Sequence, residues 1–466
     1  MSPMIPIAMF GYLPFALWLF NKLSPQRAVI AVFALGWMFL PQYSYDLPGI
    51  PDYTKISAIA YAILLGTWLF NRKVLSDFKP HVVDLPIVVW CITPFFTSVY
   101  NDLGAYDGAS ELLNTSVKWG LPYFIGRLYF NNRQALTELA FGIFMAGLIY
   151  MPLCLIEVKM SPQLHNAVYG FHAHDFIQAK RGGGFRPVVF MEHGLMVAMW
   201  MVMAFLSGFQ LYRSGWLAEK FPKYRKHWKY ALLALFVTII LNKSAGALAL
   251  ILLAIVVLRV VLAIRTVLPI LLLILIPTLY VVARAGGFWD GQELIQAAGG
   301  VASDDRSASL TYRLWNENIL MDKAKQHFYL GWGKYQRSFV FNEEGKAISV
   351  PDGFWILTFG QFGAIGLTAV GALLTLPPLL FLHRFPPREW REPSVNAIVA
   401  QPLIIALFTI DSLFNAMFNP LVLLLAGGIS CMWINRRRDS LAALRAEPAP
   451  SAGTTVRSQP AGTRLF

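Results

Sequence analysis

Apolar residues along this chain run in long continuous blocks, and short polar loops separate them. Candidate spans fall at roughly 5–20, 28–41, 57–70, 82–100, 119–130, 136–158, 188–211, 230–242, 244–263, 266–283, 354–382, 395–411 and 418–434. In lipid the backbone must satisfy its own hydrogen bonds, as a helix or a closed barrel does. Continuous rather than alternating apolar runs select helices. A helix needs about 20 residues to cross a bilayer unaided, and the pieces at 119–130 and 230–242 fall short of that. They are expected to be tilted, re-entrant or extended by polar flanks. The pattern predicts an all-α polytopic membrane protein with about twelve transmembrane helices, in a single transmembrane domain over 1–440.

Two long polar stretches break the rhythm, at 159–187 and 284–353. The second contains SLTYRLWNENILMDKAKQHF. It is too long for a turn and too short for a comfortable independent domain. Short helices lying against the outer mouth of the bundle are expected there. The tail 441–466, ending EPAPSAGTTVRSQPAGTRLF, reads as disordered.

Composition agrees with the pattern. The chain is 56% hydrophobic and only 14% charged, against about 25% charged for a soluble domain. A formal charge of +13 raises nucleic acid as a partner, but its placement argues against one. The basic residues cluster in short loops at 71–73, 130–133, 212–229, 383–392 and 435–438, as the positive-inside rule expects of cytoplasmic loops. That orientation puts 159–187 and 284–353 outside and the tail inside. No cleavable signal peptide is evident, so the first apolar run is expected to remain as a span. Cys91, Cys154 and Cys431 lie in or beside apolar blocks without metal-ligand spacing, which reads as buried structural thiols.

Polar intrusions at the outer ends of spans carry the candidate chemistry. RGGGFRPVVFMEHG, 181–194, sets Arg181, Arg186, Glu192 and His193 at the mouth of a span. Arginines there serve either as snorkelling anchors or as ligand contacts. The glycines permit close backbone approach. An unpaired carboxylate at that depth is costly, so Glu192 either pairs with Arg181 or Arg186 or takes part in chemistry. Lys243, in the turn NKSAG, is a turn charge or an anion contact. Arg306 and Arg313 are seven apart and share one helix face. With the earlier arginines they make a clamp for phosphate oxygens, or else a solvated face. Asp352 opens a later span, as an N-cap or as a base.

In order and spacing these pieces resemble the O-antigen ligase and Wzy-type polysaccharide polymerase superfamily, integral membrane enzymes of bacterial surface polysaccharide assembly. The resemblance covers most of the chain and is clearest from about 180 to 370. It rests on Arg181 and Gly184 ahead of a span, and on the polar-tipped hairpin LNKSAGALALIL. It rests further on Arg313 and Trp315, the turn in HFYLGWGKYQRSF, and DGFWILTFGQFGAIG. Two departures stand out. Asp352 and Gly353 occupy the place of His-Asn, and MEHG, 191–194, occupies that of Pro-Asn. They favour a polymerase or exopolysaccharide relative over a ligase, with Asp352, or Glu192 and His193, as the base.

The resemblance implies a bacterial inner-membrane glycosyltransferase with its active site facing the periplasm. Its donor would be an undecaprenyl-diphosphate-linked oligosaccharide and its acceptor a saccharide or lipid-linked saccharide. The implied transfer is inverting and metal-independent, with no cofactor, and a chain-length regulator or copolymerase is an implied partner. Arg181 and Arg313 would bind the diphosphate, with Arg186, Arg306 and Lys243 in support, so that developing charge is neutralised by positioned donors. Asp352, Glu192 or His193 would take the acceptor proton. Tyr312, Trp315 and Trp355 would stack on sugar rings or belong to the interfacial belt. The alternatives are an O-antigen ligase acting on lipid A–core, and a non-catalytic partner or transporter of lipid-linked sugars. Transporters often carry paired repeats, and none is apparent in this sequence.

Overall fold

The computed structural model describes residues 2–47, 51–181, 183–301 and 304–435. The 441–466 tail and the side chains of Arg181 and Arg306 lie outside the described residues. Among the described residues, eight helices are long and apolar enough to cross a membrane: Met4–Lys22, Val82–Tyr100, Arg133–Met160, Gly194–Arg213, Ala245–Ile264, Leu268–Ala285, Phe354–Arg384 and Pro393–Asp411. Shorter apolar helices, Pro25–Phe39, Lys55–Phe70, Trp228–Leu241 and Pro420–Ile434, pack among them. The strands among the described residues are two-residue pieces in two small hairpins.

The helices run back and forth between two ends. One end gathers the described residues 40–47, 51–54, 159–181, 183–193, 286–301, 304–353 and 412–419. There Gln42 N donates to His165 Nε2 (3.2 Å), and Lys55 Nζ to the Phe190 carbonyl (2.8 Å). The opposite end gathers the basic loops. It is pinned by a buried ion pair in which Arg127 Nε and Nη2 reach the two Asp84 oxygens at 2.8 and 3.0 Å. Arg133 Nη1 also donates to Ser394 Oγ there (3.1 Å).

The short apolar stretch at 119–130 proves to be extended by its polar flank. Ala105–Thr115 continues through a π-helical turn, Ser116–Gly120, into Leu121–Tyr129. The span expected over 188–211 starts late, at Gly194. Its first apolar residues are claimed by partners elsewhere in the chain. Glu157 Oε2 accepts the backbone N–H groups of Val188 (2.8 Å) and Val189 (2.7 Å). Tyr150 Oη accepts that of Phe190 (3.0 Å). Val189 is thereby held at φ +53°, outside the helical region.

The 284–353 segment also departs from the expectation of short helices. It holds Gln292–Val301 and then a 23-residue helix, Asp304–Gln326. That helix is long because it buries Leu314, Leu320 and Ala324 against the bundle. After it, the GWG turn docks into a break in Phe354–Arg384, where Gly363 takes φ 62°, ψ −165°. Trp332 N and Gly333 N donate to the carbonyls of Gly360 (2.9 Å) and Gln361 (3.0 Å). Ala364 N donates to the Phe328 carbonyl in return (2.7 Å). The break thus exchanges helical hydrogen bonds for ones across the turn.

Candidate functional site

Asp304–Gln326 is fixed in rotation by Glu317. Its Oε2 accepts from Tyr280 Oη (2.8 Å) and Arg284 Nη2 (3.1 Å), and its Oε1 from Trp355 Nε1 (3.1 Å). One helical turn earlier, Arg313 emerges at the rim of the bundle. Its Nε lies 3.5 Å from Asp352 Oδ2, and its Nη1 donates to the Phe414 carbonyl (2.8 Å). Asp352 makes no side-chain cap; the N-cap position of the following helix belongs to Gly353. Burial pushes the Asp352 carboxyl above the usual range, and the Arg313 guanidinium opposes this without cancelling it. A further carboxylate, Asp411, lies within electrostatic reach of Arg313 and accepts from Asn415 Nδ2 (2.8 Å).

An apolar groove of about 640 Å³ runs between Leu268–Ala285, Phe354–Arg384 and Ala400–Asp411, and its lining residues Phe354 and Leu413 are sequence neighbours of Asp352 and of Phe414, whose carbonyl Arg313 holds. Val281, Phe328, Phe354, Phe359 and Leu413 line the groove. Trp355 also contributes a ring wall, but it is buried and its N–H is committed to Glu317. That makes it framework rather than an accessible stacking surface. Tyr312 and Trp315, by contrast, are half exposed, with ring centroids 6.4 Å apart.

Lys180–Arg181 pairs antiparallel with Gly184–Phe185, with Arg181 opposite Gly184, and Gly183 has φ +70°. The Lys243 ammonium packs against Gly184, where an added Cβ would push aside the flexible end of that lysine. Arg186 Nη2 donates to the Lys243 carbonyl (3.3 Å). Arg186 and Lys243, separate in sequence, therefore share one patch. His193 is the N-cap of Gly194–Arg213: its Nδ1 accepts the Leu195 N–H (3.0 Å), and its ring lies 4.5 Å from that of His174. A neutral imidazole in this role carries its proton on Nε2.

Glu192 points elsewhere. It is exposed into a polar cavity of about 500 Å³ that Lys55, Lys118, Asp52, Asn114 and Gln42 also line. Its carboxylate interacts electrostatically with the ammonium groups of both Lys55 and Lys118. Trp119, next in sequence to Lys118, stacks on Phe354 of the apolar groove (5.5 Å, 17°) and lies 5.0 Å from Phe418 of the polar cavity. Trp119 thus touches one lining residue of each cavity.

Sequence reasoning missed Lys55, Lys118, Asp411 and Glu317. Each lysine is a single charge at the edge of an apolar block, the same signal a snorkelling anchor gives. Glu317 sat in a stretch of mixed charge with nothing to mark it as buried. Among the described residues no three His, Cys, Asp or Glu side chains converge as a metal site. The three cysteines are buried and free. No protein-family model matches the chain, and no curated protein matches it.

Proposed function

We propose that this chain is a polysaccharide polymerase of the bacterial inner membrane. It transfers a polyprenyl-diphosphate-linked oligosaccharide to a saccharide acceptor on the periplasmic side. The observation that carries this proposal is the Arg313–Asp352 pair beside the apolar groove: Asp352 stands two residues before the lining residue Phe354, and Arg313 donates to the carbonyl of Phe414, next to the lining residue Leu413. An isoprenoid chain needs an apolar groove open to lipid, its diphosphate needs a cation at the rim, and an acceptor hydroxyl needs a base beside that cation. On this reading the eight long helices, the four shorter ones and the run Ala105–Tyr129 would each cross the membrane, thirteen passes against the about twelve expected from sequence. The end with the basic loops is cytoplasmic.

In the transfer, the acceptor oxygen attacks C1 of the donor sugar from the face opposite the diphosphate. Its proton goes to Asp352. The C1–O bond breaks and its electron pair stays on the diphosphate, whose charge Arg313 neutralises. The sugar inverts. Arg186 and Lys243, beside Gly184, form a second cationic patch that a diphosphate or its neighbouring sugar would meet.

The test is transfer activity of the full chain in nanodiscs, with lipid-linked oligosaccharide extracted from the source cell. Arg313→Ala should lower turnover by about 10²–10³, the usual loss for one charge-stabilising donor. Asp352→Asn should lower it by about 10²–10⁴, as for removal of a general base. Full turnover in both variants would overturn the proposal.

A further inference from the structure

The polar cavity around Glu192 has chemistry that the groove lacks. Its volume of about 500 Å³ lies within the roughly 300–1,000 Å³ of small-molecule sites. Its lining offers carboxylates at Glu192 and Asp52, ammonium groups at Lys118 and at Lys55, the latter engaged with the Phe190 carbonyl, amides at Gln42 and Asn114, and aromatic faces at Trp37 and Phe418. An isoprenoid would leave those polar groups unsatisfied, at a cost in affinity. A small inorganic anion would face two carboxylates. A polyhydroxylated ring suits all of them: hydroxyls donate to carboxylates, ring and hydroxyl oxygens accept from the ammonium and amides, and C–H faces pack on the aromatics.

The position of Glu192 is built into the fold. Glu157, Tyr150, Lys55 and Gln42 all hold the backbone of Val188–Phe190, the last two by donating to the Phe190 carbonyl at 2.8 and 3.2 Å. That clamp keeps the segment out of the helix and presents Glu192 to the cavity. Trp119 links the two through its ring contacts with Phe354, which lines the groove, and Phe418, which lines the cavity.

We infer that this cavity is the binding site for the saccharide end of the acceptor, with Glu192 as a hydroxyl-binding carboxylate rather than the proton acceptor. The inference rests on the transfer reading above and assigns its acceptor side. Asp352, beside Arg313 at the groove, remains the base; Glu192, in the cavity linked to it through Trp119, holds the sugar that brings the hydroxyl.

The experiment uses the full chain in nanodiscs and two probes: oligosaccharides released by mild acid from the source cell's surface glycan, and lipid-linked oligosaccharide from its membranes. Maltotriose is the control. Labelling of Lys118 by an amine-reactive ester, read by mass spectrometry, should fall when either specific probe is added and not with maltotriose. The probe that protects more strongly identifies the acceptor as free or lipid-linked. Glu192→Gln and Asn114→Ala should each weaken protection about tenfold, the loss of one hydrogen bond to a charged or buried group. Arg313→Ala should leave protection by the free oligosaccharide unchanged. In turnover Glu192→Gln should raise the acceptor KM and leave kcat within about twofold, as loss of uniform binding does.

Unprotected Lys118 with both specific probes would overturn the inference, as would a Glu192→Gln variant that loses kcat at unchanged KM. Neither result touches the transfer reading, which stands or falls on Arg313→Ala and Asp352→Asn.

Discussion

Trp355 donates its indole N–H to Glu317 Oε1 at 3.1 Å, and through that bond the helix that carries Arg313 is locked to the helix that follows Asp352. Glu317 is also the partner of Arg284, whose side chain is fully buried. Removing one member of a buried pair leaves the other charge uncompensated and costs about 3–5 kcal/mol. Arg313 and Asp352, by contrast, are about one third exposed, and such pairs contribute about 0–1 kcal/mol. Glu317→Ala should therefore melt well below wild type in detergent, while Arg313→Ala should melt within a few degrees of it. Equal melting of the two variants would contradict this division between framework and function.

The acid limb of the pH–rate profile should report Asp352. Burial outweighs Arg313, so the folded carboxyl binds its proton more tightly than it does in the unfolded chain. As a base it must be ionised, and activity should fall with decreasing pH at a value above the ordinary carboxylate range. Arg313→Gln removes the opposing cation and should move the residual activity's limb higher still; Asp352→Asn should abolish the limb. The stability linkage has the opposite sense. The contribution of the protonated group is fully present below the unfolded pKa and is lost as pH rises through the folded one. Rate measurements across pH in nanodiscs check the limb, and a limb in Asp352→Asn matching wild type would refute the assignment.

The docked GWG turn depends on glycine at two backbone positions. Gly331 has φ +67° and an added Cβ would collide with the Gln361 carbonyl group; Gly363 has φ +62° and would collide with that of Tyr329. Gly345 has a similar φ of +75° but open space around it. Alanine at Gly345 should cost only the left-handed backbone penalty, about 1–2 kcal/mol. Alanine at Gly331 or Gly363 should cost more and should also lower activity, because the turn sets the path from Arg313 to Asp352. Thermal melting of the three variants, ranked, tests this.

His193 separates a capping role from a proton-transfer role. His193→Ala should destabilise by about 0.5–2 kcal/mol, the usual cost of a lost N-cap. His193→Asn keeps a capping acceptor and should restore both stability and activity. An asparagine variant that is stable but inactive would return His193 to the chemistry.

Much of the bundle was legible because apolar length alone decides a span: 82–100, 244–263 and 354–382 lie close to the helices Val82–Tyr100, Ala245–Ile264 and Phe354–Arg384. The start of Gly194–Arg213 was not, because Glu157 and Lys55, distant in sequence, decide the backbone of residues 188–190. Arg313 and Asp352 stood out singly as polar residues at the ends of apolar blocks. Their pairing depends on how the GWG turn docks at Gly363, which no local pattern encodes. The partnership of Glu192 with Lys55 and Lys118 was hidden for a similar reason, since three separate segments meet to make it.

The most direct test of the central claim is stoichiometry. Wild-type protein in nanodiscs, supplied with lipid-linked oligosaccharide, should release one polyprenyl diphosphate for each glycosidic bond it forms. Arg313→Ala should suppress both products together while still melting like wild type. No diphosphate released in nanodiscs, with movement of the intact lipid-linked sugar across the bilayer of sealed proteoliposomes, would contradict the account and make the chain a transporter.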